Sequence, residues 1–183
     1  GITTAEGTEF AVRVLQFMRE RLLEFQEETG NIYNLEATPA EGTSYSLARI
    51  DKRIYPDIVV ANEKYLSTGA EPFYTNSTHL PVDHTGDLFE ALEHQDRLQT
   101  LYTGGTVFHI FLGERIFSWK AAAEIVRKVA YTAHVPYYSL TPTFSVCQNH
   151  GYVTGEQKVC PHCGAPCEVY SRIVGYLRPV DQW

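Results

Sequence analysis

From Glu6 to Thr29 the apolar residues Val12, Leu15, Met18, Leu22 and Phe25 recur at three- and four-residue spacing, and Gly30 follows. Side chains so spaced share one face of a helix, so the pattern predicts an amphipathic helix that stops at the glycine. Asn31–Ala37 (NIYNLEA) is short and apolar and predicts a buried strand, after which TPAEGTS turns into a helical YSLARIDKRIY. Pro56–Gly86 carries Pro56, Pro72, Pro81 and the polar string YTNSTHLP, and reads as loop. Helical spacing returns over Asp87–Tyr102 and ends at Gly104 and Gly105, before a strand pattern at Thr106–Leu112. Ser118 is placed to cap the helix WKAAAEIVRKVAYTAH, and Val135–Val146 is extended and aromatic. Helices alternating with strands predict an α/β sheet or barrel. The strands are few for a complete barrel, so the expectation is part of one.

Composition narrows the choice of partners. The 183 residues are 44% hydrophobic and 13% aromatic, enough for a packed core. A net charge of −7 with no basic run argues against a surface for phosphate backbones, so nucleic acid is not an expected partner. No stretch approaches the roughly 18 apolar residues of a membrane span, and no basic-then-apolar leader opens the sequence, so a soluble, cytoplasmic protein without a membrane partner is expected. The chain begins GITTAEGTEF without an initiator Met, which suggests a processed or excised portion of something larger.

All the cysteines, Cys147, Cys160, Cys163 and Cys167, stand close together near the end, and none precedes Cys147. Such clustering fits a metal site in a reducing compartment better than a disulfide framework. Two similar pieces, CQNHG (Cys147–Gly151) and CPHCG (Cys160–Gly164), each place two ligand types three apart with a glycine directly after. A tight turn of that form lets both side chains face one ion, and the glycine relieves crowding where amides turn toward sulfur. The expected zinc ligands are Cys147, His150, Cys160 and Cys163. An all-cysteine site with Cys167 in place of His150 is the rival, and His162 is expected to point to solvent. Four protein ligands close the site, which makes it structural.

The stretch TPTFSVCQNHGYVTGEQKVCPHCGAPCEVYSRIVGYLRPVDQW resembles the C-terminal zinc and glycyl-radical region of the anaerobic (class III) ribonucleoside-triphosphate reductases. The upstream segments NLEATPAEGTSYSLARIDK, YTNSTHLPV and LQTLYTGGTVFHIFLGE resemble that family in the same order, so the likeness spans nearly the whole chain. It implies the second half of a ribonucleotide-reductase-type α/β barrel over residues 1–143, a zinc-ribbon hairpin over 144–169 and a glycyl-radical loop over 170–183. It implies further that Gly175, in RIVGY, is converted to a Cα radical by an iron–sulfur activating enzyme that uses S-adenosylmethionine. A glycine Cα has no side chain to oppose planarity between the amide nitrogen and the carbonyl, which suits it to an unpaired electron. In the family this radical oxidises a cysteine to a thiyl, which takes the ribose 3′ hydrogen on the way to a deoxyribonucleotide. With no cysteine before Cys147, the thiyl loop is expected upstream of Gly1, in the remainder of the reductase chain, and the complete enzyme is expected to be a homodimer.

ATPAEGTS runs from a predicted strand into a predicted helix, and unpaired N–H groups at a helix N-terminus attract phosphate. The resemblance agrees, making Thr38, Ala40, Gly42, Thr43 and Ser44 the expected contacts to a ribonucleoside triphosphate, with Glu41 turned away or capping locally. Small polar residues before a helix also serve simply as caps. Asn76, Ser77, Thr78 and His79 either line the nucleotide site or form a satisfied polar loop. His109 reads as a hydrogen-bonded core histidine, and no tyrosine is given a redox role. The competing readings are a stand-alone glycyl-radical subunit, a different glycyl-radical enzyme such as an acyl-lyase, and a zinc-ribbon binding module. The long substrate-like loops, the paired knuckles and the lack of basic surface speak against each in turn.

Overall fold

The computed structural model describes residues 1–81, 84–112, 115–173 and 176–179. They form two compact units, Gly1–Phe108 with His134–Tyr137, and His109–Ala133 with Tyr138–Trp183.

The first unit is helical. Helix α1 (Ala5–Thr29) starts where the Thr4 hydroxyl accepts the Gly7 N–H and ends at Gly30, whose φ of 71° is left-handed and whose N–H reaches Gln26 O. Leu15 is buried on this helix and meets Leu35, Ala37, Leu98 and Tyr102, with Val12 and Leu22 packed alongside. The predicted apolar stripe is only partly covered, since Met18 and Phe25 remain exposed. Helix α2 spans Glu41–Ile54, and a 3₁₀ helix, Glu63–Thr68, interrupts the predicted loop. Helix α3 (Leu88–Gln99) is capped by the Asp87 carboxylate, which accepts from Phe89 N and Glu90 N.

Two glutamines of α3, Gln95 and Gln99, are fully buried, and both are satisfied. The Thr106 hydroxyl donates to Gln99 Oε1, Gln99 Nε2 to Gln95 Oε1, and Gln95 Nε2 to Thr78 O. Burying an amide without partners costs more than one hydrogen bond returns, so this line of donors is what admits the glutamines to the core.

The expected strand at Asn31–Ala37 does not form. Leu35 and Ala37 are buried as the pattern required, but their backbone partners lie in the turn around Gly104 rather than in a ladder. Leu35 N donates to Thr103 Oγ1, Leu35 O accepts from Thr103 N and Gly104 N, and Ala37 N donates to Gly105 O.

The second unit carries the sheets. Strands β1 (Phe108–Leu112) and β2 (Tyr138–Pro142) pair, and helix α4 (Trp119–Thr132) lies between them in the chain. Phe108 N donates to Tyr137 O and Thr143 N to Leu112 O, the progression of a parallel pair, so β1–α4–β2 is a crossover unit. Ser118 precedes α4 in the cap position, but its side chain makes no capping bond. Strands β3 (Phe144–Cys147), β4 (Gly151–Thr154), β5 (Cys167–Ile173) and β6 (Tyr176–Pro179) form an antiparallel sheet in the order β4-β3-β5-β6. Phe144 stacks on Tyr152 at 5.5 Å and on Tyr170 at 5.4 Å, joining β4, β3 and β5 on one face. The architecture is therefore mixed helix and sheet. Among the described residues no helix is long and apolar enough to cross a membrane.

Candidate metal centre and neighbouring loops

The sheet delivers the cysteine cluster. Strand β3 ends at Cys147, and the chain turns through His150 to Gly151, where β4 begins and Cys147 faces Gly151 across the ladder. The Ser145 hydroxyl, fully buried, donates to Gly155 O and accepts from Gln157 N, which ties down the far end of the hairpin. The second knuckle closes on itself: Cys160 N donates to Ala165 O, Gly164 N to Cys160 O, and Cys167 N to Lys158 O. Gly151 and Gly164 have φ of 71° and 70°, and an added Cβ at either would meet nothing within 4 Å. Backbone handedness, not crowding near sulfur, is thus what calls for glycine after each ligand pair.

The donor atoms of Cys147, His150, Cys160 and Cys163 lie within 4.8 Å of one another. Cys147 Sγ is 3.7 Å from Cys163 Sγ and 3.9 Å from His150 Nδ1, and Cys160 Sγ is 3.7 Å from the same nitrogen. A tetrahedral zinc with Zn–S of about 2.3 Å and Zn–N of about 2.0–2.1 Å separates its donors by about 3.8 Å between sulfurs and about 3.6 Å between sulfur and nitrogen. The spacing and the soft donor set therefore fit such an ion. Cys147 and Cys160 are buried while His150 and Cys163 are exposed, so the group sits at the surface with its sulfur half inward.

Protonation separates the thiols. The backbone N–H of Ala165, with the Asn149 side chain 3.7 Å away, holds the Cys163 thiol below its ordinary value. Burial, reinforced by the neighbouring Cys147 and Cys160, pushes the Cys167 thiol up. Cys167 faces Cys147 across β3 and β5 but stands outside the four-donor group, with its Sγ 3.9 Å from Ala165 O. His162 is exposed, its ring 5.5 Å from that of His150.

Thr38, Ala40, Gly42, Thr43 and Ser44 gather at the start of α2, where N–H groups have no partner within the helix. Ala40 occupies the cap position without a capping side chain of its own. Asn76 fills that role from the other loop: its Oδ1 accepts from Ala40 N at 3.0 Å and from Ser44 Oγ at 3.1 Å. Thr78 meets the Tyr102 hydroxyl at 3.0 Å, and the two ring nitrogens of His79 lie 2.8 Å from Asn76 O and 2.7 Å from Val107 O. Thr78 and His79 therefore fasten the loop, while Asn76 turns to the helix end. Ser77, between them, has a φ of 46°, the one positive value among described residues other than glycine. Sequence reading missed Asn76 as the cap of α2, because its only signal was membership of a polar run far from that helix. His109 is half-buried with Nδ1 2.7 Å from Ser139 Oγ, as a core histidine should be. Gly175 falls between Ile173 and Tyr176, the final pair of β5 and β6, and lies outside the described residues.

The sequence model of the family described as anaerobic ribonucleoside-triphosphate reductase matches residues 1–183. The chain belongs to that family. It is 28% identical over 185 residues to the anaerobic ribonucleoside-triphosphate reductase of Haemophilus influenzae, covering 94% of this chain and 24% of the relative. Against the enzyme of the same name from Enterobacteria phage T4 it is 24% identical over 180 residues, covering 93% of this chain and 28% of the relative. The crystal structure of the anaerobic ribonucleotide reductase from Thermotoga maritima with MES in the active site superposes with a TM-score of 0.70 at 28% identity. That match covers 98% of this chain and 28% of the other. The Thermotoga maritima enzyme in complex with dATP and CTP also gives 0.70 at 28% identity, over 98% and 27%. The chain spans about a quarter of the length of the curated reductases it matches first.

Proposed function

We propose that this chain is the C-terminal, zinc-holding and radical-bearing portion of an anaerobic ribonucleoside-triphosphate reductase. The observation that carries the reading is the conjunction of an end-to-end family match with a four-donor group whose spacing suits one tetrahedral ion. Cys147, His150, Cys160 and Cys163 hold the zinc, which as a closed site supplies a cross-link and no reaction chemistry. Residues 1–143 contribute part of the catalytic α/β barrel, 144–169 the zinc knuckles and 170–183 the segment with Gly175.

Gly175 stores the unpaired electron after an S-adenosylmethionine-dependent iron–sulfur partner removes a Cα hydrogen atom. A cysteine from the remainder of the reductase polypeptide then relays the radical to the ribose of a ribonucleoside triphosphate. The N-terminal turn of α2, with Thr38, Ala40, Gly42, Thr43 and Ser44, receives the triphosphate at the positive end of the helix dipole, where the amides of Gly42 and Thr43 precede the first intrahelical bond. Asn76 sets the angle of that turn by holding Ala40 and Ser44 together. The assembled enzyme is a cytoplasmic homodimer that supplies DNA precursors.

Anaerobic incubation of the intact reductase polypeptide with its activating enzyme, S-adenosylmethionine and a reductant should give an electron paramagnetic resonance doublet. Gly175→Ala should abolish it while the metal content stays at one zinc per chain. A doublet of wild-type intensity in Gly175→Ala would end the assignment.

A further inference from the structure

We infer that Thr141 and Arg172 are positioning residues for Gly175, joined through a hydrogen-bond ladder that runs from His109 across β2 to the end of β5. This rests on the reading of Gly175 as the radical site. His109 Nδ1 is 2.7 Å from Ser139 Oγ, Ser139 Oγ is 3.4 Å from Thr141 Oγ1, and Arg172 Nε donates to Thr141 Oγ1 at 2.9 Å. Ser139 and Thr141 are two apart on β2 and so share a face. An arginine can only donate. Thr141 therefore accepts from Arg172, and the same oxygen lies beside the Ser139 hydroxyl, which in turn faces the ring nitrogen of His109. Thr141 is 1% exposed, so its hydroxyl depends on these partners for satisfaction.

The location of the ladder gives it a task. Strand β3 pairs with β5 only over Cys167–Tyr170, so Ser171, Arg172 and Ile173 run beyond it with β6 as their sheet neighbour. Among the described residues strand β6 stands at the edge of the sheet, beside β5. The segment leading to Gly175 is therefore a two-stranded overhang, and such a ribbon is only marginally stable by itself. Arg172 lies in that overhang, three residues before Gly175, and its bond to Thr141 fastens it to the β1–β2 pair. A charged donor on a buried acceptor is among the stronger protein hydrogen bonds. The candidate metal group lies at the other end of β5, next to Cys167.

Thr141→Val removes the acceptor at nearly constant volume, and Thr141→Ser restores it. In the intact reductase polypeptide, Thr141→Val should lower the glycyl-radical yield per chain roughly tenfold or more, the ratio that a hydrogen bond from a charged group sustains. Amide exchange over residues 168–173 should quicken, zinc content should hold, and Thr141→Ser should return both readouts to the wild-type level. Wild-type yield and exchange in Thr141→Val would overturn the inference, as would a Thr141→Ser protein as impaired as the valine variant. If Thr141→Val does not fold, as lost zinc would reveal, Arg172→Met carries the same expectation, and an unchanged radical yield there overturns it. A wild-type protein without any doublet defeats the reading of Gly175 and the positioning role with it; exchange that quickens in Thr141→Val even so would show the ladder intact and place the failure in the radical assignment.

Discussion

At the scale of single residues, glycine and asparagine each do one definable job. Gly151 and Gly164 both sit at a left-handed φ directly after a ligand, with open space where a side chain would go. Alanine at either position meets no clash and loses only backbone preference, a cost of about 1–2 kcal/mol. Gly151→Ala and Gly164→Ala should therefore each weaken zinc retention by roughly five- to thirtyfold, measured by competition with a chelator, without abolishing binding. Asn76 makes a different contribution, through a side-chain oxygen shared by Ala40 N and Ser44 Oγ. Removing a cap of this kind costs about 1 kcal/mol. Asn76→Ala should lower the free energy of unfolding by that amount, read from the shift in denaturant midpoint at constant slope, and, if α2 receives triphosphate, should raise the substrate KM more than it lowers kcat.

At the scale of elements, what the sequence made legible was whatever depends on near neighbours. The helices announced themselves through residues such as Val12, Leu15 and Leu22, because periodicity is local, whereas the Asp87 cap of α3 went unread and Ser118, read as a cap, makes no capping bond. The metal group was legible for the same reason: two ligands three apart with a glycine behind them imply a turn of one shape. Asn31–Ala37 misled because burying Leu35 and Ala37 satisfies the apolar pattern whether the backbone finds a strand or the Gly104 turn. The Asn76 cap and the Thr141–Arg172 bond were illegible, since each joins residues distant in the chain by a side chain with no periodic signature.

The small core shared by the two knuckles tests how far zinc carries this region. Its buried members among the described residues are Cys147, Val153 and Cys160, with Ala165 and Cys167 packed against them. Without an ion, three of those five side chains are thiols and the remaining apolar area is slight. Chelation should therefore release amide protection across residues 147–167 while α1 and α3, which rest on Leu15 and Leu98, keep theirs. Hydrogen exchange that is equal in the chelated and zinc-loaded proteins would contradict this.

At the scale of the whole molecule, large apolar side chains stand in solvent within each unit. Phe10 and Phe17 of α1 are both 62% exposed, and Phe117 and Trp119 before and at the start of α4 are 74% and 76% exposed. Contiguous apolar surface, where such side chains adjoin, is what associates with other protein. The family relatives are about four times as long, so further polypeptide is the natural cover. Cysteine usage points the same way. Cys147, His150, Cys160 and Cys163 form the metal group, leaving Cys167 as the thiol outside it. Burial and the adjacent sulfurs hold that thiol protonated, and it faces Cys147 rather than a cleft. On the proposed function, Cys167 is therefore not placed to serve as the thiyl relay. The chain by itself, activated anaerobically and supplied with ribonucleoside triphosphates and reductant, should yield no deoxyribonucleotide by chromatography. Adding the remaining reductase polypeptide should restore turnover, and Cys167→Ser should leave that restored rate within about twofold, since surface and boundary substitutions outside a working site change little. Product formed by the isolated chain and lost in Cys167→Ser would make Cys167 the relay and displace the requirement for a second cysteine-bearing segment.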